Sequence, residues 1–186
     1  MQNKMYYNLS TLTQMDIYLF KQGSYTKMYE KFGAHSMTHK GKKGVHFAVW
    51  APNAKSLCVR GDFNNYEIDA HPLQLRDDDS GIWEGFIEDI SMGLTYKYHI
   101  VSLFHNIVHE KSDPFAFYSE VAPKSASRIY ELDNYKWNDK KWMQKRHNFN
   151  AHDAPVSVYE MHVGSWRRNP EEDNRYLTYK ELAVEL

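Results

Sequence analysis

Apolar and polar positions change period along this chain, and the changes divide it. Leu12, Met15 and Leu19 recur at helical spacing. They predict a short amphipathic helix over Ser10 to Gln22, with Ser10 as its cap and Gly23 as its stop. Gly33 to Gly44 (GAHSMTHKGKKG) is polar and glycine-marked and reads as a loop or irregular lead-in. The period then becomes two. Val45, Phe47 and Val49 share one strand face, Leu57 and Val59 alternate in SLCVR, and WEGFI is a short strand. Tyr96, Tyr98 and Ile100 oppose Lys97, His99 and Val101. HNIVHEK reads as the return strand of a hairpin. Turn chemistry at Gly61-Asp62, Asn64-Asn65, Asp77 to Gly81 and Gly93 separates these runs. Short alternating strands at close spacing predict an immunoglobulin-like antiparallel β-sandwich over about Val45 to Phe117, in a mostly β protein.

Beyond it, Ala122 to Pro155 has little periodicity but many rings and charges, and reads as an ordered connection packed on something else. VSVYEMHV is apolar on both faces, as a buried parallel strand requires. Thr178 and Glu181 have capping-box spacing, with Leu182, Ala183 and Leu186 as the first buried positions of the helix they open. A strand, a loop and a helix are the opening of an α/β domain. The expected divisions are 1–30 for the helix and lead-in, 31–122 for the sandwich, 123–155 for the connector and 156–186 for the α/β opening.

Composition narrows the function classes. The 23 Lys plus Arg nearly balance 24 Asp plus Glu, without the basic excess of a nucleic-acid binder. No apolar run approaches the roughly 20 residues of a membrane span, and the N-terminus lacks a signal-peptide shape. The single cysteine, Cys58, excludes an internal disulfide framework and fits a reducing cytoplasm. Aromatic residues are 15% of a chain whose mean hydropathy is −0.72, so rings are expected at polar surfaces, where they can meet a ligand. His35 and His39, like His105 and His109, are spaced by four, but neither pair lies in a helical pattern, and HExxH is absent. Gly41 to Gly44 is not a P-loop, and no G-x-G-x-x-G occurs. No metal, nucleotide or other cofactor is expected.

FAVWAPNAKSLCVRGDFN, the YKY strand, KSDPFAF, WNDKKWM and YEMHVGSWRR resemble, in that order, the N-terminal part of bacterial glycogen branching enzymes, from about Leu19 to Leu186. VWAPNA with GDFN is shared by many proteins carrying a family-48 carbohydrate-binding module, whereas YEMHVGSW is more specific to branching enzymes. The resemblance implies a starch-binding sandwich followed by a glycoside hydrolase family 13 (β/α)₈ barrel. VSVYEMHV would be the barrel's first strand and TYKELAVEL the start of its first helix, so the barrel is incomplete here. Such enzymes transfer an α-1,4-glucan segment to a 6-hydroxyl by retaining double displacement, with two carboxyl groups flanking the scissile bond. The family's nucleophile Asp, acid/base Glu and third Asp lie at later strands, so no catalytic residue is expected within this sequence. The chain alone is expected to be inactive. The implied partners are α-glucan (glycogen and linear α-1,4 chains) and the C-terminal barrel of the same polypeptide. The alternative is a free-standing glycogen-binding or regulatory module.

Sugar binding would rest on rings and polar partners. Asn64, Asn65 and Tyr66 occupy a turn where a ring can stand free, and Tyr66 stands where similar modules usually place a stacking Trp. Lys97 matches a lysine that hydrogen-bonds glucan in such modules. Against this, Tyr66 could pack at a domain contact and Lys97 could be an ordinary solvated residue. Asp77 to Asp79 read as a solvated turn. Trp50 and Trp83 are expected in the sandwich core, and Trp137 and Trp142 as anchors of the connector to the barrel. On the presumed barrel strand, the resemblance places Tyr159 beside substrate, while Glu160 reads as internally paired. Trp166, Arg167 and Arg168 follow that strand, for glucan contact or domain packing.

Overall fold

The computed structural model describes residues 3–133, 135–149 and 152–186. Asn134, Asn150 and Ala151 of the expected connector lie outside them, as do Met1 and Gln2. Two compact units divide the chain, Met1–Lys136 and Trp137–Leu186.

In chain order the first unit comprises β1 (Met5–Tyr6), α1 (Gln14–Lys21), β2 (Gly33–His39), β3 (Lys42–Trp50), β4 (Ala54–Gly61) and β5 (Gln74–Leu75). It continues with β6 (Ile82–Glu88), β7 (Thr95–Ser102), β8 (Val108–Lys111), β9 (Tyr118–Ser119) and β10 (Ser127–Arg128). One antiparallel sheet runs β1-β6-β3-β2 with β5 also on β6. The other runs β4-β7-β10-β9 with β8 also on β7. Val45, Phe47, Val49, Trp83 and Ile87 of the first sheet meet Leu57, Val59, Tyr96 and Tyr98 of the second in one buried core. The expected sandwich is therefore present, and it recruits segments on both sides of 45–117.

Two of these are additions that periodicity did not announce. The stretch read as a loop from Gly33 is strand β2, in full register with β3 from Gly33↔Ala48 to His39↔Lys42. Its turn, Lys40-Gly41, has both residues at positive φ, the geometry of a tight hairpin. β2 is an edge strand whose outer half stays wet, so polar side chains there conceal its strand character. β1, in the expected lead-in, pairs with β6.

The helix is shorter than its apolar spacing suggests. Thr13 caps it with a reciprocal box to Asp16, and Leu12 and Ile17, one before the cap and four after it, are both buried in a hydrophobic staple. Ser10 is not the cap: its hydroxyl accepts from the Leu12 N–H at 3.0 Å and donates to Glu84 at 2.8 Å. Starting at Gln14 turns Met15 outward, 63% exposed, and Ile17 inward. Leu12, Ile17, Tyr25, Phe32 and Ile82, with Phe20 and Phe115 against them, form a second apolar cluster under α1. Trp83 is buried as expected, its indole N–H on the Ala51 carbonyl at 3.0 Å. Trp50 is not: it projects from the opposite face of β3, 55% exposed, with its N–H on the Ser80 carbonyl and its ring against Phe20.

Asp113 is the principal buried carboxylate. It accepts from the Tyr96 and Tyr98 hydroxyls at 2.7 and 2.8 Å and from the Phe115 N–H at 2.8 Å, while its own N–H donates to Ser127 Oγ. Burial pushes its carboxyl up, although all three donors pull the other way. His46 is fully buried, its Nε2–H on the Leu9 carbonyl at 3.1 Å and its Nδ1 unpartnered. Burial lowers its pKa to about 4, so its 3.7 Å approach to Glu84 is not an ion pair at neutral pH.

In the second unit, α2 (Lys140–Phe149), α3 (Val163–Trp166), β11 (Arg168–Asn169), β12 (Arg175–Tyr176) and α4 (Tyr179–Glu185) surround little core. α4 starts as expected, with Thr178 and Glu181 in a reciprocal box. Of its three expected apolar positions only Leu182 is buried, while Ala183 and Leu186 are exposed. VSVYEMHV differs from expectation. Residues 156–162 form no strand, Val156 and Val158 are 80% and 85% exposed, and Val163 begins α3. A parallel barrel strand takes its ladder bonds from neighbours on both sides, and no strand among the described residues pairs with this segment. Trp142 is likewise 53% exposed and stacks on Phe149. Among the described residues no helix is long and apolar enough to cross a membrane.

Two outcomes are expected. Asp113→Ala should lower the unfolding free energy in urea by about 3 kcal/mol, leaving two buried hydroxyls without their shared acceptor, and Tyr96→Phe or Tyr98→Phe by about 1 kcal/mol each. For His46 the folded pKa is depressed. The unfolded chain therefore takes up a proton as pH falls below about 6.5, and the folded chain does so only near 4. Stability should fall across that window by on the order of 3 kcal/mol. His46→Gln should flatten the profile, measured as denaturation midpoint against pH. Glu84 and Asp113, both raised by burial, act in the opposite sense and cancel in the comparison with wild type.

Candidate functional site

The turn after β4 is built around one amide. Asn64 is buried; its Oδ1 accepts from the Gly61 N–H at 2.8 Å, and its Nδ2 donates to the Val59 carbonyl at 3.0 Å and His71 Nδ1 at 2.9 Å. His71 passes the tie on, its Nε2–H donating to the Asn3 carbonyl at 2.7 Å. Asn64 is thereby fully engaged inside the turn. It shapes the turn from inside, whereas the sequence reading places it among the sugar-contacting residues. Gly61 is needed for a steric reason, since a Cβ there would lie 2.2 Å from the Thr95 carbonyl oxygen.

With the loop pinned, Asn65 and Tyr66 both take left-handed backbone conformations, φ 51° and 57°. Asn tolerates that region and Tyr does so at a cost. The Tyr66 N–H on the Gly61 carbonyl at 3.0 Å and the Arg60 guanidinium on the Tyr66 carbonyl hold it there. The Tyr66 ring lies half-buried, with its hydroxyl 2.6 Å from Thr95 Oγ1. Burial is the chief cause that raises its pKa. Asn65 is exposed at the apex.

Thr95 and Lys97 are two apart on β7 and so share a face, opposite Tyr96 and Tyr98. Arg60 is the cross-strand partner of Lys97 and adds to that face. Lys97 is half-buried and donates to Ser125 Oγ at 2.9 Å. Arg60 pairs with Glu110 on β8, which also holds His99 at 2.5 Å. The fold thus brings Tyr66 and Lys97 onto one surface, the outer face of the second sheet, with Asn65 at its margin. Thr95, Arg60 and Ser125 escaped the sequence reading. Thr95 was findable as the same-face neighbour of Lys97. Ser125 arrives on a distant loop and carries no local signal.

Tyr159 belongs to the second unit. It is 70% exposed, and its hydroxyl accepts from the Trp166 indole N–H at 2.8 Å. Arg167 lies against the Trp166 ring and pairs with Glu185; Arg168 lies 4.3 Å over Tyr176. Among the described residues no group of three or more His, Cys, Asp or Glu side chains is placed to hold a metal ion.

Residues 31–116 match the family model of carbohydrate-binding module 48 (isoamylase N-terminal domain). Beyond the module, the chain matches the N-terminal region of 1,4-alpha-glucan branching enzymes. It is 48% identical over 177 residues to the 1,4-alpha-glucan branching enzyme GlgB of Aquifex aeolicus, covering 95% of this chain and 28% of that protein. It is 51% identical over 174 residues to GlgB of Halothermothrix orenii (94% and 27%), and 46% identical over 182 residues to GlgB of Saccharophagus degradans (98% and 25%). The chain therefore spans about a quarter of the length of these relatives. Among solved structures it aligns with the pullulanase of Klebsiella pneumoniae complexed with maltotriose, at 26% identity and a TM-score of 0.45, over 56% of this chain and 10% of that one.

Asn64→Ala should cost about 2 kcal/mol in urea unfolding, since it orphans the Gly61 N–H and the Val59 carbonyl. Because the turn that carries Tyr66 loosens with it, the Tyr66 ring should also gain mobility, read as averaging of its aromatic NMR signals.

Proposed function

We propose that this chain supplies glucan binding and positioning to a 1,4-alpha-glucan branching enzyme, the enzyme that moves an α-1,4-linked segment onto a 6-hydroxyl. The observation that carries the reading is the Tyr66 ring, tethered to Thr95 on the outer sheet face that also carries Lys97. A pyranose offers a flat face of C–H groups and a rim of hydroxyls. An aromatic ring takes the first, and Lys97 with the apex amide of Asn65 takes the second. Tethering fixes the ring before sugar arrives, so little ordering entropy is lost on binding.

The second unit fits the opening of a (β/α)₈ barrel. The capping box of α4 is formed in place, and residues 156–162, which form no strand here, leave the apolar side chains of Val156 and Val158 exposed. In that setting VSVYEMHV would become the first barrel strand and bring Tyr159 towards substrate. Among the relatives, matching continues well past the module, which favours a part of a branching enzyme over a free-standing binding module.

Affinity electrophoresis in glycogen-containing gels tests the binding claim. Retardation in the micromolar-to-millimolar range, about −4 to −8 kcal/mol, is expected for one such platform. Tyr66→Ala should abolish it, Lys97→Ala should weaken it about tenfold, and Thr95→Val should weaken it less, because the ring remains while its tether is lost. Mobility unaltered by glycogen in the wild-type chain would overturn the reading.

A further inference from the structure

At the edge of the first sheet, β1 and β5 both pair with β6 and leave a gap between them. The chain leaving β1 crosses it. Two adjoining depressions open there, of about 260 and 420 Å³, and both are lined by Asn8 and Gln74. Together they make a continuous trough with Tyr7 at one end and Arg76 with Glu84 at the other.

The polar groups along it fall into two kinds. Arg76 and Glu84 are engaged with each other at 2.7 Å, and Arg76 also with Asp78 at 2.8 Å, with little of either side chain of the Arg76–Glu84 pair exposed. They form a rigid, charge-paired floor. The side-chain amides of Asn8 and Gln74, in contrast, have no hydrogen-bond partner among the described residues, and both residues are exposed. The Tyr7 ring is 42% exposed, and its hydroxyl is likewise without a partner among the described residues. An amide both donates and accepts, as a sugar hydroxyl does.

Charge selects the class of ligand. Among the lining residues Asp77 and Glu84 outnumber Arg76, so phosphates and carboxylates are disfavoured. Glu84 is already paired with Arg76, and no metal-holding group occurs among the described residues. The unpartnered amides and the Tyr7 ring suit a neutral, hydroxyl-rich ligand with an apolar face. A trough of two connected depressions suits a linear one.

We propose that this trough is a second α-glucan subsite, in which Tyr7 packs on a pyranose face and Asn8 and Gln74 bind its hydroxyls. The assignment of glucan rests on the binding function proposed above. The site itself shares no residue with the Tyr66 platform, and it lies at the edge of the other sheet.

Titration of the ¹⁵N-labelled chain with maltoheptaose, followed by amide NMR shifts, tests it. The amides of Tyr7, Asn8, Gln74 and Leu75 should shift saturably. Tyr7→Ala and Gln74→Ala should each weaken the apparent affinity at those amides at least tenfold while leaving the titration of Tyr66, Thr95 and Lys97 unchanged. Tyr66→Ala should do the converse. Gln74 is exposed on a short edge strand, so Gln74→Ala carries the test if Tyr7→Ala unfolds. Still trough amides alongside a moving Tyr66 set would overturn the second subsite alone. A moving trough with a still Tyr66 set would support it and overturn the platform. If neither set moves, both fall. Trough shifts that survive both substitutions would overturn the residue assignment.

Discussion

One buried carboxylate holds the junction on which this sandwich depends. The edge of β7 is served by two different strands, β8 along Tyr98 to Val101 and β10 along Thr95 and Tyr96. Such a split leaves a seam where the chain leaves one strand and another arrives. Asp113 closes it: the Tyr96 and Tyr98 hydroxyls, i and i+2 and thus on the same side, converge on a single carboxylate oxygen, and the Asp113 N–H reaches Ser127 on β10. A carboxylate in that position is tolerable because its donors are all present, and the same burial would make any missing donor costly.

The two outer faces meet different fates. Over the first sheet, α1 and the strand leaving β1 are laid down on Ile82, Phe32, His46 and Glu84, forming a second apolar cluster and a charge-paired patch beside it. The outer face of the second sheet carries Thr95, Lys97 and Arg60 and receives the short turn from Gly61 to Tyr66 and the loop that bears Ser125. A helix would have buried that face. A turn instead leaves the Tyr66 ring half-buried on the face that also carries Lys97.

Much of this was legible in the chain. Alternation at Val45 to Val49, Leu57 to Val59 and Tyr96 to Ile100 specifies which side chains face the core, because a one-residue slip would turn all of them to water. The turn at GDFNN and the capping box at Thr178 are local, set by residues within a few positions of one another, and both are as the residue types demand. The polar edge strand β2 was not legible, since an edge strand with a wet face has no apolar stripe to reveal it. Local spacing points to Ser10 as the cap of the first helix, but Glu84 and Arg76, distant in sequence, take its hydroxyl and Thr13 caps instead. Trp50 looked like core because it ends a core strand, but its side chain emerges on the face that α1 only partly covers.

By itself, then, the sequence determined the β-sandwich, its core face and the resemblance to the N-terminal region of branching enzymes, because those rest on periodicity and on contiguous motifs. It also nominated Tyr66 and Lys97. Tertiary structure decided what each nominated residue does. Asn64 and Asn65 are adjacent and chemically identical, yet one amide is consumed by Gly61, Val59 and His71 while the other stands at the apex. Tyr66 gains its tether from Thr95 and Lys97 its partner from Ser125, residues 29 and 28 positions away. Local pattern records which side of a strand a residue occupies. Which distant donor or acceptor claims its polar atoms is settled only when the chain has closed on itself, because an unmade buried hydrogen bond costs more than any local preference supplies.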